Sequence, residues 1–93
     1  MKLPQDYTKL TGKQRKLVRE EYVRIQDDKC WYCGVSLDLP PRADVAISPI
    51  NWALFPPGFM DHPVHLQHDH GTGMTEGAVH SLCNAYLWQY YGR

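Results

Sequence analysis

The chain has 93 residues, 43% hydrophobic and 22% charged, with ten Lys and Arg balancing ten Asp and Glu. That composition belongs to a folded domain and excludes a disordered charged tail, and the length leaves room for one domain, residues 1–93. No apolar run nears the ~18 residues of a membrane span, and the first residues lack the apolar stretch of a secretory signal, so the expectation is a cytoplasmic protein with no membrane partner.

A chain of this size buries only roughly 60–65% of its unfolded surface. Seven Pro and seven Gly shorten its regular elements further. Such domains generally carry disulfides or a structural metal. Three cysteines leave one thiol over in any disulfide framework, and a reducing cytosol disfavours the bridges, so a metal is expected.

In chain order, the first element is a helix over about 12–28, with Leu17, Val18, Tyr22 and Ile25 at helical spacing and Thr11 or Gly12 as its cap. Charge is uneven along the chain. Residues 1–29 carry eight basic and five acidic groups, and the remainder is acidic. Lys13, Arg15, Lys16 and Arg19 crowd together, with Arg24 beyond them. The cluster reads either as a solvated helix face or as a face that meets DNA phosphates.

Cys30-Trp31-Tyr32-Cys33-Gly34 reads as a tight turn. Residues 35–63 show no periodicity and are interrupted by Pro40, Pro41, Pro49, Pro56, Pro57 and Pro63. They read as an ordered insert pinned by Trp52, Leu54, Phe55 and Phe59. A strand over 64–68 follows, with Val64, Leu66 and His68 on one face. Turn residues 69–73 lead to a second strand over 75–80. Ser81 is the expected N-cap of a helix to about 91, which Gly92 ends. The fold class is therefore α+β: a basic N-terminal helix, an insert and a ββα core over 64–91.

Two pairs have zinc-ligand spacing, Cys30-x-x-Cys33 and His80-x-x-Cys83. The set uses every cysteine in the chain. Four protein ligands close a tetrahedral site, so the zinc is structural and clamps the end of the first helix to the start of the last. His68-Asp69-His70 lies at the end of a strand between the two pairs, and Asn84 follows ligand Cys83 directly. The clamp would hold Asn84 rigidly.

This array, Cys-x-x-Cys, then Gln67-His68-Asp69-His70-x-Thr72-Gly73, then Gly77-x-x-His80-x-x-Cys83-Asn84, resembles HNH nucleases of the ββα-metal fold, nearest the phage recombination endonuclease VII group. The resemblance spans residues 30–84 and is concentrated in 67–84. It implies a DNA endonuclease with His68 as general base. Gln67 and Asn84 would be ligands of one catalytic divalent cation, Mg²⁺ or Mn²⁺. It also implies DNA as partner, with a homodimer or successive nicks to cut both strands. Two positions depart from the pattern. Gln67 stands where the family has Asp or His, so either the cation is held weakly or Asp69 or His70 supplies the ligand. Glu76 replaces an Arg. The alternative is a non-catalytic zinc module that binds nucleic acid or protein. A redox protein built on Cys30-x-x-Cys33 is disfavoured, because the strand–helix alternation of thioredoxin-like folds is missing.

Overall fold

Thr11 opens the first helix. Its hydroxyl accepts the Gln14 backbone N–H, and the Gln14 side chain accepts the Thr11 N–H in return, a reciprocal capping box. In the computed structural model, which describes residues 1–92, α1 spans Gly12–Ile25. It stops short of residue 28 because Asp27 and Asp28 take φ of 55° and 60° and turn the chain out of the helix. Short polar side chains tolerate that left-handed conformation. Val18 and Tyr22 are buried, while Leu17 and Ile25, expected on the same face, are about half exposed.

The insert is more regular than its sequence suggests. It contains α2 (Ala43–Ile47) and a 3-10 turn over Trp52–Leu54. Its anchor in the core is Val45, which is fully buried; Trp52 and Leu54, expected as pins, are about half exposed. Phe55 and Phe59 do pack, with ring centroids 4.7 Å apart, and Trp88 stands edge-on to Phe55 at 5.7 Å. Gln89 accepts the Asn51 N–H at 2.8 Å, and the Gln89 amide and Tyr90 hydroxyl both donate to the Pro49 carbonyl.

β1 (Val64–His68) and β2 (Thr75–His80) form an antiparallel pair running from Val64 opposite His80 to His68 opposite Thr75. The register breaks between Gln67, opposite Gly77, and His68, opposite Thr75, so Glu76 is the extra residue of a bulge at the end of the hairpin. The N-terminal segment lines the free edge of β2. The Thr75 N–H donates to the Gln5 carbonyl and the Tyr7 N–H to the Gly73 carbonyl, each at 2.8 Å.

α3 (Ser81–Tyr91) follows β2 directly. Ser81 is its first residue rather than its cap, and the Ser81 N–H donates to the Pro63 carbonyl at 2.9 Å. The N-cap is His80, whose side chain makes no capping bond because its ring turns toward the cysteines. Gly92, at φ 69°, ends α3 as expected.

The architecture is thus α+β, three helices around a two-stranded sheet. Val18, Tyr22, Leu37, Val45, Leu66, Ala78 and Val79 form one core together with Cys30 and Cys83. No helix among the described residues is long and apolar enough to cross a membrane.

One contact sets the distance between α1 and the sheet. The Gln26 side chain pairs with Ala78 as a strand neighbour would, accepting its N–H and donating to its carbonyl, both at 2.9 Å. The Trp31 N–H donates to the same carbonyl at 2.9 Å. A Cβ on Gly77 would lie 2.6 Å from Trp31 Cγ, so only glycine admits this approach. Residues 26–31 are thereby fastened to β2, and the first cysteine pair meets the second.

Candidate functional site

Cys30, Cys33, His80 and Cys83 bring one ligand atom each within 4.8 Å of one another. The Cys30 N–H donates to the Val35 carbonyl and the Gly34 N–H to the Cys30 carbonyl, which folds the first pair into a tight knuckle. Gly34 takes φ 76° there. His80 Nδ1 lies 3.4 Å from Cys33 Sγ and 3.6 Å from Cys83 Sγ. Adjacent ligands of a tetrahedral zinc with Zn–S of ~2.3 Å and Zn–N of ~2.05 Å stand about 3.6 Å apart, so the donor set fits the ion.

His80 Nε2 lies 2.9 Å from both the Ser36 and Leu39 carbonyls. Carbonyls only accept, so Nε2 carries the hydrogen and Nδ1 turns its lone pair toward the thiols. A hydrogen bond from Cys83 lowers the Cys30 thiol to about 4, and the same contact, with burial, pushes the Cys83 thiol up. The cluster therefore already favours negative charge at Cys30, which suits a divalent cation. Cys30 and Cys83 are buried and Cys33 is half-buried.

The second group of polar residues lies at the other end of the hairpin. His68 stacks on Tyr7, with centroids 3.9 Å apart and planes 7° from parallel, and the His70 ring lies 4.5 Å away. Burial, and then the charges of His70 and Arg15, hold the His68 imidazole below 6.5, so the ring is neutral near pH 7. His68, His70 and Asn84 line one cavity of about 250 Å³, with Tyr7, Phe59 and Trp88 among its other walls. A second cavity, of about 460 Å³, shares Tyr7, Phe59, Leu66 and Asn84 with the first and adds Arg15, Arg19, His62 and His65.

Asn84 stands where the two cavities meet. Its Nδ2 lies 3.0 Å from Nδ1 of His65, a residue to which the sequence pattern gives no role. Gln67 lines neither cavity. It is 1% exposed, and its amide donates to the His68 carbonyl at 3.0 Å and reaches Glu76 Oε1 at 3.5 Å. Asp69 shapes the hairpin turn: its Oδ1 accepts the Gly71 and Thr72 N–H groups at 2.7 and 3.0 Å. Asp69 and Gly73 close the turn with a further backbone bond at 2.7 Å.

The basic residues of α1 divide. Arg15 and Arg19 reach the larger cavity. Arg15 lies over the Tyr7 ring at 3.8 Å and donates to the Tyr7 carbonyl at 3.1 Å, while Arg19 Nη2 lies 3.2 Å from His62 Nε2. Lys13 and Lys16 are exposed. Arg24 is engaged by Glu21, its Nε donating at 3.1 Å, and lines neither cavity.

Tyr7, His62 and His65 carry no signal in the sequence, and Phe59 only that of a pin of the insert. Tyr7 owes its place to His68, His62 to Arg19 and His65 to Asn84, each far along the chain. No family model, curated protein or solved structure matches this chain.

Proposed function

We propose that the protein is a metal-dependent DNA endonuclease that hydrolyses phosphodiester bonds, in keeping with the HNH resemblance of residues 67–84. The observation that carries this reading is the convergence of His68, His70 and Asn84 on one cavity that opens beside Arg15 and Arg19. A neutral imidazole, two guanidinium groups and an amide at one surface are parts that, with a divalent cation, serve phosphodiester hydrolysis.

In this reading His68 takes the proton from a water molecule as that water attacks phosphorus, and the P–O3′ bond breaks. The stack on Tyr7 holds the imidazole plane, and burial keeps the ring neutral and able to accept. Arg15 and Arg19 bind phosphate oxygens and orient the strand. Asn84, on the first turn of α3, helps hold a divalent cation. When bound, that cation supplies positive charge to the phosphate and to the leaving oxygen. The zinc set takes no part in the chemistry; it holds the start of α3, and so Asn84, against the sheet.

The test is nicking of supercoiled plasmid by zinc-loaded protein with Mg²⁺ or Mn²⁺, beside His68→Ala. The expected result is a loss of roughly 10²-fold or more with fold and zinc content retained. Equal nicking by both proteins overturns the assignment of His68. Burial of the neutral Gln67 where the family carries Asp or His favours a second reading, a zinc module that binds DNA without cutting it. DNA binding without nicking in any divalent metal would establish that reading instead.

A further inference from the structure

His65 is the second residue of β1, opposite Val79 and three positions before His68. Phe59 packs edge-on against its ring at 4.8 Å and fixes the plane. Its Nδ1 faces the Asn84 amide at 3.0 Å, on the wall of the cavity that Arg15 and Arg19 also line. Asn84 is thus shared between the His65 side and the His68 side, whereas Gln67 is buried away from both.

Two neighbouring ligands of an octahedral cation, each at ~2.1 Å, stand about 3.0 Å apart, the separation of His65 and Asn84. An amide turned over by 180° exchanges its nitrogen and oxygen in place. In one orientation Asn84 donates to His65. In the other, with the ring hydrogen on Nε2, two lone pairs face each other, an arrangement that a cation between them makes favourable; with the hydrogen on Nδ1, Asn84 Oδ1 accepts it instead. The pair is therefore a neutral hydrogen bond without the cation and a ready ligand pair with it.

We propose that His65 Nδ1 and Asn84 Oδ1 are the two protein ligands of the divalent cation, with His65 taking the part the resemblance gives to Gln67. This rests on the nuclease reading for its purpose but not for its test. Both ligands are neutral, and the two guanidinium groups outnumber the one carboxylate of the cavity, Asp61, so the ion is held weakly until a DNA phosphate supplies negative charge. Cation and DNA consequently bind together. An imidazole ligand also shifts preference from Mg²⁺ toward first-row transition metals such as Mn²⁺.

The experiment titrates the zinc-loaded protein with Mn²⁺ and follows free Mn²⁺ by electron paramagnetic resonance, with and without a short DNA duplex. Wild type should bind one Mn²⁺ more tightly with DNA present and show ¹⁴N coupling from an imidazole. His65→Gln, checked for zinc content and thermal unfolding, should weaken Mn²⁺ binding by about tenfold or more and lose that coupling. His68→Ala should keep it. Gln67→Met, which keeps the size of the buried side chain, should retain wild-type affinity. Undiminished affinity in His65→Gln, or a loss in Gln67→Met alone, overturns the ligand pair even if the protein nicks DNA. Should wild type bind Mn²⁺ through His65 yet never nick DNA, the ligand pair stands and the nuclease reading falls.

Discussion

The ring of Tyr7 lies flat on the imidazole of His68, 3.9 Å between centroids, although sixty residues of chain separate them. The contact is possible because the N-terminal segment runs along β2, where the Tyr7 N–H bonds to the Gly73 carbonyl. Tyr7 thereby covers one face of the proposed base and carries Arg15 on its other side.

This cover sets a pH dependence. Burial lowers the His68 and His65 imidazoles below 6.5. As pH falls, the unfolded chain takes up these protons before the folded one does. The contribution to stability is therefore whole above 6.5 and declines as pH falls from there through the folded values. Histidine titration by NMR should place His68 below 6.5, with cleavage rising through the same pH range. Tyr7→Ala should move His68 back toward 6.5, and Tyr7→Phe should leave it low. A wild-type His68 that titrates at or above 6.5 contradicts this account.

Zinc removal should unfold the protein. Elemental analysis should find one zinc per chain, bound through Cys30, Cys33, His80 and Cys83. Because thiolates bind the ion, acid releases it, and a chelator should abolish the folded circular dichroism signal at neutral pH. Cys83→Ala should leave the chain largely unfolded. A folded, zinc-free sample would defeat the assignment.

Gln67→Asp should destabilise the protein rather than strengthen its cation site. The new carboxyl would be buried near Glu76 Oε1, to which the Gln67 amide now donates. Desolvation and the like charge raise its pKa, so the folded state holds the proton that the unfolded state loses. The penalty should grow as pH rises through that raised value. Urea unfolding at pH 5 and pH 8 measures it, with an expected cost of roughly 1–3 kcal/mol at the higher pH.

The basic residues of α1 should separate in a salt titration of DNA binding. Lys13→Gln and Lys16→Gln should each flatten the log–log slope by up to about 0.9, one phosphate contact apiece. Arg24→Gln should change it little, because Glu21 already engages Arg24. Arg15→Gln should reduce both binding and thermal stability, since its guanidinium also holds the Tyr7 carbonyl. Equal effects at all four positions would mean that the α1 face acts only through its net charge.

What the sequence determined by itself is local. Alternation marked the strand over 64–68, the turn residues after it announced a returning strand over 75–80, and both fold over those residues. Two Cys/His pairs with two residues between ligands sufficed to read the metal set, because one turn of chain brings the two ligands of each pair together, while the meeting of the two pairs depends on the Gln26–Ala78 contact. The Thr11 cap and the Gly92 stop follow from the chemistry of single residues.

What only the tertiary structure decided depends on partners far away in sequence. The bulge after Gln67, and the packing around it, place Gln67 in the interior. Ser81 loses the cap position because His80 occupies it with its ring turned to the cysteines. Val45, rather than Trp52 or Leu54, anchors the insert, since which apolar residue is buried depends on what the fold sets opposite it. The pairs His65–Asn84 and Tyr7–His68 exist because α3 starts directly from the end of β2, beside β1, and the β2 edge captures the N-terminal segment. Spacing along a chain encodes contacts within a turn or a strand. Contacts between elements are chosen by the packing of the whole core, and no periodicity announces them.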